Sequence, residues 1–434
     1  MIKVLITGVF ALLVGLFCLP TWAVFIIEIT EGDDTGIPIA VVPFHFQGQQ
    51  RPNEDIRNIV SADLYRSGRF SSLSPGDFLS RPSGPDQVRF KDWRLIKAEA
   101  LVIGHVKQVD DGYEVSFRLY DVYKQKELAG YIFTVGSGSR AIRQVGHRIS
   151  DYIYEALTGV PGVFDTRIAY VTAEGSGINK LFQLKVADSD GYGDQTILET
   201  PSPILSPAWA PDGERLAYVT FGNDNSGATI WLQNLKTIKR QKLLEERVSS
   251  PAWSPDGRRL AVTLYRDGNS DIYVFEISSR RLRRLTKHPG IDTEASWSPN
   301  GRHLVFTSNR SGRPQIYRIS AAGGPAERLT SNGRENLDAS YSPDGKQLVM
   351  VTNRGNGYQI GVFSLSDKKL RILTDGPFDE SPTFAPNGSM ILYATRRAGR
   401  EVVEYVSTVG HVRQLLPRFQ GGAQREPAWA PLNR

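Results

Sequence analysis

The stretch Pro251-Ala252-Trp253-Ser254-Pro255-Asp256-Gly257 decides the fold, because versions of it recur along the C-terminal part of the 434-residue chain. Each copy carries one aromatic residue, which we call the anchor, and consecutive anchors lie 43 to 45 residues apart. The six anchors are Trp209, Trp253, Trp297, Tyr341, Phe384 and Trp429. A period in the low forties with four short strands per repeat is typical of β-propeller blades.

Each repeat has the composition of four strands joined by turns. The anchor ends one strand, Pro-Asp-Gly or Pro-Asn-Gly supplies a tight turn, and an apolar strand such as 259–263 follows. A third and a fourth strand follow, for example at 271–275 and 283–286. Because the anchors recur so regularly, we predict that they pack between blades and do not stack on a ligand.

The phase of the repeat predicts how the ring closes. Residues 167–172 have the pattern of a second strand but no anchor precedes them, whereas Trp429 is an anchor with no second strand after it. These two halves complete one blade. We therefore predict an all-β six-bladed β-propeller over residues 161–434, closed by the C-terminal strand, since an open array would leave two unpaired edges.

Residues 24–160 lack the repeat and predict a separate N-terminal α/β domain. Apolar strands are expected at 38–46, 100–108, 113–120 and 127–135. Helices are expected at 54–67 and 139–157, the second of which ends before Gly159.

Residues 1–23 have the pattern of a secretory signal peptide. Lys3 precedes an apolar run over 4–19, and Thr21 and Ala23 place small side chains before a cleavage site. Cleavage removes Cys18, the only cysteine. No later run of 18 apolar residues occurs, so we expect an exported protein without a membrane span.

Charge and motifs argue against several functional classes. The net charge of +6 divides into +1 from Lys3, −2 over residues 24–160 and +7 over 161–434, and the basic residues are dispersed, unlike those of a nucleic-acid groove. No Gly-x-Ser-x-Gly, His-Glu-x-x-His or P-loop motif occurs, and the six histidines are scattered. We expect neither catalysis nor a cofactor. An exported propeller hydrolase, or a module that binds carbohydrate or metal, remains the alternative.

A protein-docking site is predicted where the loops that precede the anchors meet at one mouth of the propeller channel. These loops are rich in charged and hydroxyl groups, predominantly acidic, and a polar surface on a rigid ring suits a protein or peptide partner. The predicted docking residues are Arg247, Ser250, Asp292, Thr293, Glu294, Asp338, Asp379, Glu380 and Arg425.

The combination of an export signal, an α/β domain that opens with residues 36–44, and six such blades resembles the TolB family of the periplasmic Tol-Pal envelope system. The resemblance covers essentially the whole mature chain. It implies a non-enzymatic protein whose propeller mouth binds the lipoprotein Pal and whose N-terminus binds TolA, with colicins and other outer-membrane proteins as further partners. It also implies a role in outer-membrane integrity and in constriction during cell division.

Carried over by position, Ser250 and Thr293 match family positions at the Pal interface, and Arg247 stands where the family has a histidine. The TolA-binding segment would comprise Val24, Phe25, Ile26, Ile27, Glu28, Ile29, Thr30, Glu31 and Gly32. Its alternating apolar residues suit addition to a sheet edge, although Glu28 replaces an expected apolar residue. We hypothesise that this segment either packs on the protein or is released to TolA, with Pal biasing the choice.

Overall fold

The structure, a computed structural model, describes residues 27–28, 36–222, 227–410, 412–416 and 422–432. The predicted signal peptide, residues 1–23, lies outside these residues, as does most of the predicted TolA-binding segment.

The N-terminal domain is a mixed sheet with helices on both faces, which fits the α/β domain that the sequence predicted. The short strand β1, Ile27–Glu28, precedes this domain in the chain. In chain order the elements of the domain are β2 Ile37–Val41, β3 His45–Gln47, α1 Ile56–Arg66, β4 Phe70–Ser72, α2 Phe90–Leu95, β5 Ala100–Val109, β6 Gly112–Asp121, β7 Lys126–Gly136 and α3 Ser139–Thr158. The sheet order is β4-β2-β5-β6-β7, with β3 also paired to β5. Strands β2, β3 and β4 make parallel pairs, and β5, β6 and β7 make antiparallel ones.

Local chemistry fixes the helices. The Asp55 side chain accepts a hydrogen bond from the Arg57 backbone N–H at the start of α1. Helix α3 buries Ile142, Val145, Ile149 and Ile153 on one face and ends at Gly159, whose φ of 72° is one that glycine adopts without strain. Both helices pack against the sheet in one apolar core.

One predicted strand is divided. The expected strand at 38–46 consists of β2 and β3, because the chain leaves β5 around Pro43, which has no N–H to give to a ladder. Strand β4 and helix α2 were not predicted, since three and six residues are too few to show a period.

The propeller contains six four-stranded antiparallel blades. In chain order the propeller begins with three strands of blade 6, which are β8 Arg167–Glu174, β9 Leu181–Asp188 and β10 Gln195–Thr200. Five complete blades follow: blade 1 has β11 Ile204–Trp209, β12 Arg215–Phe221, β13 Ala228–Asn234 and β14 Arg240–Glu246; blade 2 has β15 Val248–Trp253, β16 Arg259–Arg266, β17 Asn269–Glu276 and β18 Arg281–Arg284; blade 3 has β19 Asp292–Trp297, β20 His303–Ser308, β21 Gln315–Ser320 and β22 Glu327–Arg328; blade 4 has β23 Glu335–Tyr341, β24 Gln347–Asn353, β25 Tyr358–Ser364 and β26 Leu370–Ile372; and blade 5 has β27 Glu380–Phe384, β28 Met390–Arg397, β29 Arg400–Ser407 and β30 Arg413–Leu415. The last strand of the chain is β31 Ala423–Trp429.

The predicted closure of the ring is confirmed. Strand β31 pairs antiparallel with β8, so blade 6 has the order β31-β8-β9-β10 and joins the two ends of the propeller. The Trp429 indole N–H donates to Thr166 Oγ1 at 2.8 Å, just before β8 begins. The C-terminal residues therefore hold the first propeller strands in place.

The anchors pack at the seams between blades, as predicted. The indole N–H of Trp253 donates to the backbone oxygen of Ala208 in blade 1 at 3.0 Å, and that of Trp297 donates to Ala252 in blade 2 at 3.1 Å. Trp209 makes the equivalent bond to Ala428 at 3.2 Å. Each bond gives the indole N–H an acceptor, without which this polar group would be buried unpaired.

The two domains share one continuous core. Tyr154 of α3 and Phe164 of the connecting segment belong to the same apolar cluster as Tyr405 of blade 5 and Trp429 of blade 6. The Arg66 guanidinium of α1 is buried and lies 5.2 Å from the centre of the Tyr405 ring. The N-terminal domain is thus packed against the seam between blades 5 and 6.

Candidate docking site at the channel mouth

A left-handed residue interrupts each inner strand three positions before its anchor. Ladder pairing shifts at each of these six points, which makes a bulge. The six residues are Ser206, Ser250, Glu294, Asp338, Ser381 and Glu426, with φ between 47° and 55°. Since residues other than glycine avoid this region, their surroundings must hold them there.

Carboxylates supply part of that support between neighbouring blades. Glu294 Oε2 of blade 3 accepts hydrogen bonds from the Asp338 backbone N–H of blade 4 at 3.0 Å and from Thr307 Oγ1 at 2.8 Å. Across the closing seam, Glu426 Oε2 of blade 6 accepts from the Ser206 N–H of blade 1 at 3.1 Å. The left-handed residues are therefore linked from one blade to the next at these two seams.

The left-handed residues line a central channel cavity of about 760 Å³. Burial, together with the nearby Glu294, Glu426 and Glu380 carboxylates, raises the pKa of Asp338 well above its ordinary value. Burial also raises the pKa of Glu426. The channel wall is thus a cluster of acidic groups that repel one another and that favour protonation or a cationic neighbour.

Two of the predicted docking residues are buried and paired inside the propeller. Asp292 is fully buried and accepts from Arg310 Nη2 at 2.8 and 2.9 Å. Asp379 is buried and accepts from Thr395 Oγ1 at 2.5 Å, and burial raises its pKa. The sequence pattern could not separate these inward carboxylates from outward ones, because both directly precede a bulge.

The other predicted residues face the channel or the rim around it. Ser250, Glu294 and Asp338 line the channel cavity. The side chains of Arg247 and Glu380 are exposed, and Thr293 is half-buried, 3.4 Å from Thr263 Oγ1. The half-buried Arg425 pairs with Glu401 of blade 5.

Sequence reasoning missed the hairpins that join the second and third strand of each blade. Chain direction brings these hairpins to the same end as the residues before the anchors. They contribute arginines and exposed aromatic rings, the two residue classes enriched at interface hot spots. The arginines are Arg266, Arg310, Arg313, Arg354, Arg396 and Arg400, and the exposed rings are Phe221, Tyr265 and Tyr358.

These hairpins change the charge expected at the mouth. The channel interior is acidic, whereas the rim carries arginines, of which Arg266 and Arg396 are paired with Glu246 and Glu401. A cleft of about 310 Å³ between blades 1 and 2 contains Phe221, Tyr265 and Arg247, with the Arg247 guanidinium 5.4 Å from the Tyr265 ring centre. The rim thus offers aromatic and cationic contacts, and the channel below it offers carboxylates.

A second feature lies on the outer edge of blade 4. Strand β1 pairs in parallel with β26, with Ile27 opposite Arg371 and Glu28 opposite Ile372. Ile27 and Glu28 are the only residues of the predicted TolA-binding segment that the structure describes. At these two positions the segment adds a fifth strand to a blade.

Within the described residues, no group of three or more His, Cys, Asp or Glu side chains is arranged to hold a metal ion. None of the helices in the described part of the chain is both long and apolar enough to cross a membrane.

Comparison with known proteins agrees with this architecture. The family model of the TolB amino-terminal domain matches residues 25–128, and that of the TolB beta propeller domain matches residues 154–433. A crystal structure of TolB from Acinetobacter baumannii superposes with a TM-score of 0.83 at 39% identity, covering 92% of this chain and 98% of that one.

Two relatives extend the similarity over nearly the full length. The Tol-Pal system protein TolB of Nitrosococcus oceani is 56% identical over 431 residues, which is 98% of each chain. The protein of the same name from Methylococcus capsulatus is 59% identical over 407 residues, 93% of this chain and 94% of its own. The chain therefore belongs to the TolB family of Tol-Pal system proteins.

Proposed function

We propose that this protein is a non-enzymatic adaptor in the periplasm that binds Pal at the propeller mouth and TolA through residues 24–32. In this role it supports outer-membrane integrity and constriction during cell division. The observation that carries the proposal is the mouth itself, where loops of a closed ring bring exposed Arg247, half-buried Thr293 and rim aromatics onto one rigid face. Such a face suits a folded protein or an extended peptide, including a colicin segment or another outer-membrane protein.

The N-terminal segment is proposed to alternate between two partners. The pairing of β1 with β26 offers the packed state, and release of the same segment offers a strand to TolA. Pal can bias this choice only if it binds the two states with different affinity.

The docking proposal is tested by placing an arginine at position 293. We expect Thr293→Arg to weaken Pal binding by about tenfold or more, because a long charged side chain would fill the space beside Glu294 that a partner must approach. Thr237→Arg is the matched control, because Thr237 is exposed in a turn at the opposite end of blade 1. The measurement is titration calorimetry with Pal, alongside thermal melting. Equal Pal affinities for the two variants would place the docking site elsewhere.

The N-terminal proposal is tested by deleting residues 24–32 from the mature protein. TolA binding should be lost, and the affinity for Pal should change by about fivefold or more if the two sites are coupled. Retained TolA binding would refute the assignment of the segment. An unchanged Pal affinity would refute the coupling while leaving both binding sites intact.

A further inference from the structure

Blade 4 differs from the other blades because its sheet reaches from the channel to the N-terminal strand. The strand order is β1-β26-β25-β24-β23, so the sheet has five hydrogen-bonded strands between the channel wall and the outer edge of the blade. Asp338, the left-handed residue of β23, faces the channel at one end of this sheet, and Glu28 pairs at the other. A displacement of this blade would therefore change the contacts at both of its edges.

The two seams that flank blade 4 lack the indole-to-backbone hydrogen bond that links blades 6 and 1, 1 and 2, and 2 and 3. At the seam between blades 5 and 6, the Trp429 indole bonds instead to Thr166, just before β8. The anchors at these seams are Tyr341, which faces blade 3, and Phe384, which packs against blade 4. Neither ring has an N–H that could bond to the preceding inner strand, as Trp253 and Trp297 do. Among the described seams, these are the two whose anchor is not a tryptophan.

A second repeated contact is missing at the same two seams. Arg215 and Arg259 each stack on the anchor of the next blade, with guanidinium-to-ring-centre distances of 5.0 Å to Trp253 and 4.8 Å to Trp297. The equivalent repeat positions that would reach Tyr341 and Phe384 carry His303 and Gln347. Blade 4 is thus held less firmly by its anchors than blades 1 and 2.

Polar contacts near the mouth hold the seam between blades 3 and 4. Glu294 Oε2 accepts from the Asp338 N–H at 3.0 Å, and Asn336 Nδ2 donates to Gln315 Oε1 at 2.9 Å. Glu294 lines the channel, so a ligand at the mouth can compete for its carboxylate. Such a ligand would leave Thr307 Oγ1, at 3.0 Å, as the one remaining acceptor of the Asp338 N–H, and the left-handed backbone of Asp338 depends on support from its surroundings.

We propose that blade 4 is the element that transmits binding at the mouth to the N-terminal strand: a ligand that engages Glu294 releases Asp338, blade 4 shifts between its two weakly anchored seams, and the pairing of β26 with β1 changes. This inference rests on the proposed function, because it names the route by which the Pal site and the TolA-binding segment would be coupled. It requires two arrangements of blade 4 that the ligand distinguishes.

Hydrogen exchange of the full mature protein, with and without Pal, tests the route. In the wild-type protein Pal should change the exchange rate of residues 366–374 by about fivefold or more. Tyr341→Trp supplies the missing indole N–H at the seam with blade 3 and should reduce the Pal-induced change below about twofold. Phe384→Trp, at the other seam of blade 4, should do the same and covers the case in which the first variant packs poorly.

The matched control loosens a seam distant from blade 4. Trp253→Phe removes the indole bond to Ala208 and should lower the melting temperature while leaving the Pal-induced change at residues 366–374 intact. The route through blade 4 is wrong if both Trp variants keep the wild-type change, or if Trp253→Phe abolishes it as well.

A second experiment uses the protein without Pal, so its result tests this inference independently of the proposed function. Glu294→Ala removes one of the two acceptors of the Asp338 N–H, leaving Thr307 Oγ1, and should speed exchange of residues 366–374 by about fivefold in the protein alone. Glu426→Ala removes the same kind of bond, to the Ser206 N–H, at a seam that keeps its indole contact, and should leave that exchange unchanged. Equal rates in the two variants would overturn the inference even if Pal binds; failure of Pal to bind, with the rates as expected, would refute only the proposed function.

Discussion

At the scale of single residues, the anchor indole N–H contributes stability that the aromatic ring alone does not. Trp297→Phe keeps most of the buried ring but leaves the Ala252 backbone oxygen without its 3.1 Å donor and weakens the stacking of Arg259. We expect the free energy of unfolding in urea to fall by about 1–2 kcal/mol. Tyr341→Phe, at an anchor without an indole, should cost less than about 0.5 kcal/mol. Equal losses in the two variants would show that only ring packing matters.

The limits of sequence reasoning are visible at individual site residues. The repeat predicted that the residues before each anchor meet at one mouth, and Ser250, Glu294 and Asp338 do line the same channel. The direction of each side chain depends on partners distant in the chain. Asp292 turns inward because Arg310 of the following hairpin reaches it, and no local pattern around Asp292 encodes that pairing.

At the scale of elements, the closing strand should control the stability of the whole ring. Removal of residues 427–434 would eliminate the Ala428 and Trp429 pairs with β8 and the Trp429 bond to Thr166. The buried indole alone is worth about 3–5 kcal/mol, so we expect the melting temperature to fall by on the order of 10 °C. A synthetic peptide of residues 422–432 should restore part of the loss. Unchanged melting after the truncation would contradict closure by this strand.

Periodicity explains which elements the sequence could reveal. The blades were predictable because a turn and an anchor recur at 43 to 45 residues, and α3 because its apolar residues follow a helical period over five turns. Strand β4 and the pairing of β1 with β26 have no such signal. Three or two residues show no period, and an edge partner from a distant segment is selected by tertiary geometry.

At the scale of the whole molecule, buried charges join the two domains. His147 Nδ1 of α3 lies 2.7 Å from Asp63 Oδ2 of α1, and Arg143 bridges Glu54 of the N-terminal domain to Asp190 of the propeller. The ionisable groups that face His147 are Asp63 and Arg66 from α1, Asp190 and Asp188 from the propeller, and Asp165 from the connecting segment. The titratable imidazole of His147 therefore lies at the centre of the junction between the domains.

The protonation of His147 should make the stability of this junction depend on pH. Burial lowers the pKa of His147, but the Asp63 and Asp190 carboxylates together outweigh burial, and the pKa lies above its ordinary value of 6.5. A raised histidine pKa gives stability that is fully present below about pH 6.5 and is lost as pH rises through the pKa of the folded state.

We therefore expect the melting temperature of the wild-type protein to fall as pH rises above about 6.5, with His147 accounting for part of the slope and Asp151, whose pKa burial raises to about 7, for another part. His147→Gln keeps a side-chain donor for Asp63 but cannot titrate. At pH 6 it should have a lower melting temperature than the wild-type protein and a free energy of unfolding that is lower by roughly 1–3 kcal/mol. The two proteins should converge at higher pH. His303→Gln, at a half-buried position in blade 3, is the control and should retain the wild-type slope. If the melting temperatures of wild type and His147→Gln differed by the same amount at every pH, the His147 imidazole would act through packing, because a neutral structural role does not vary with protonation.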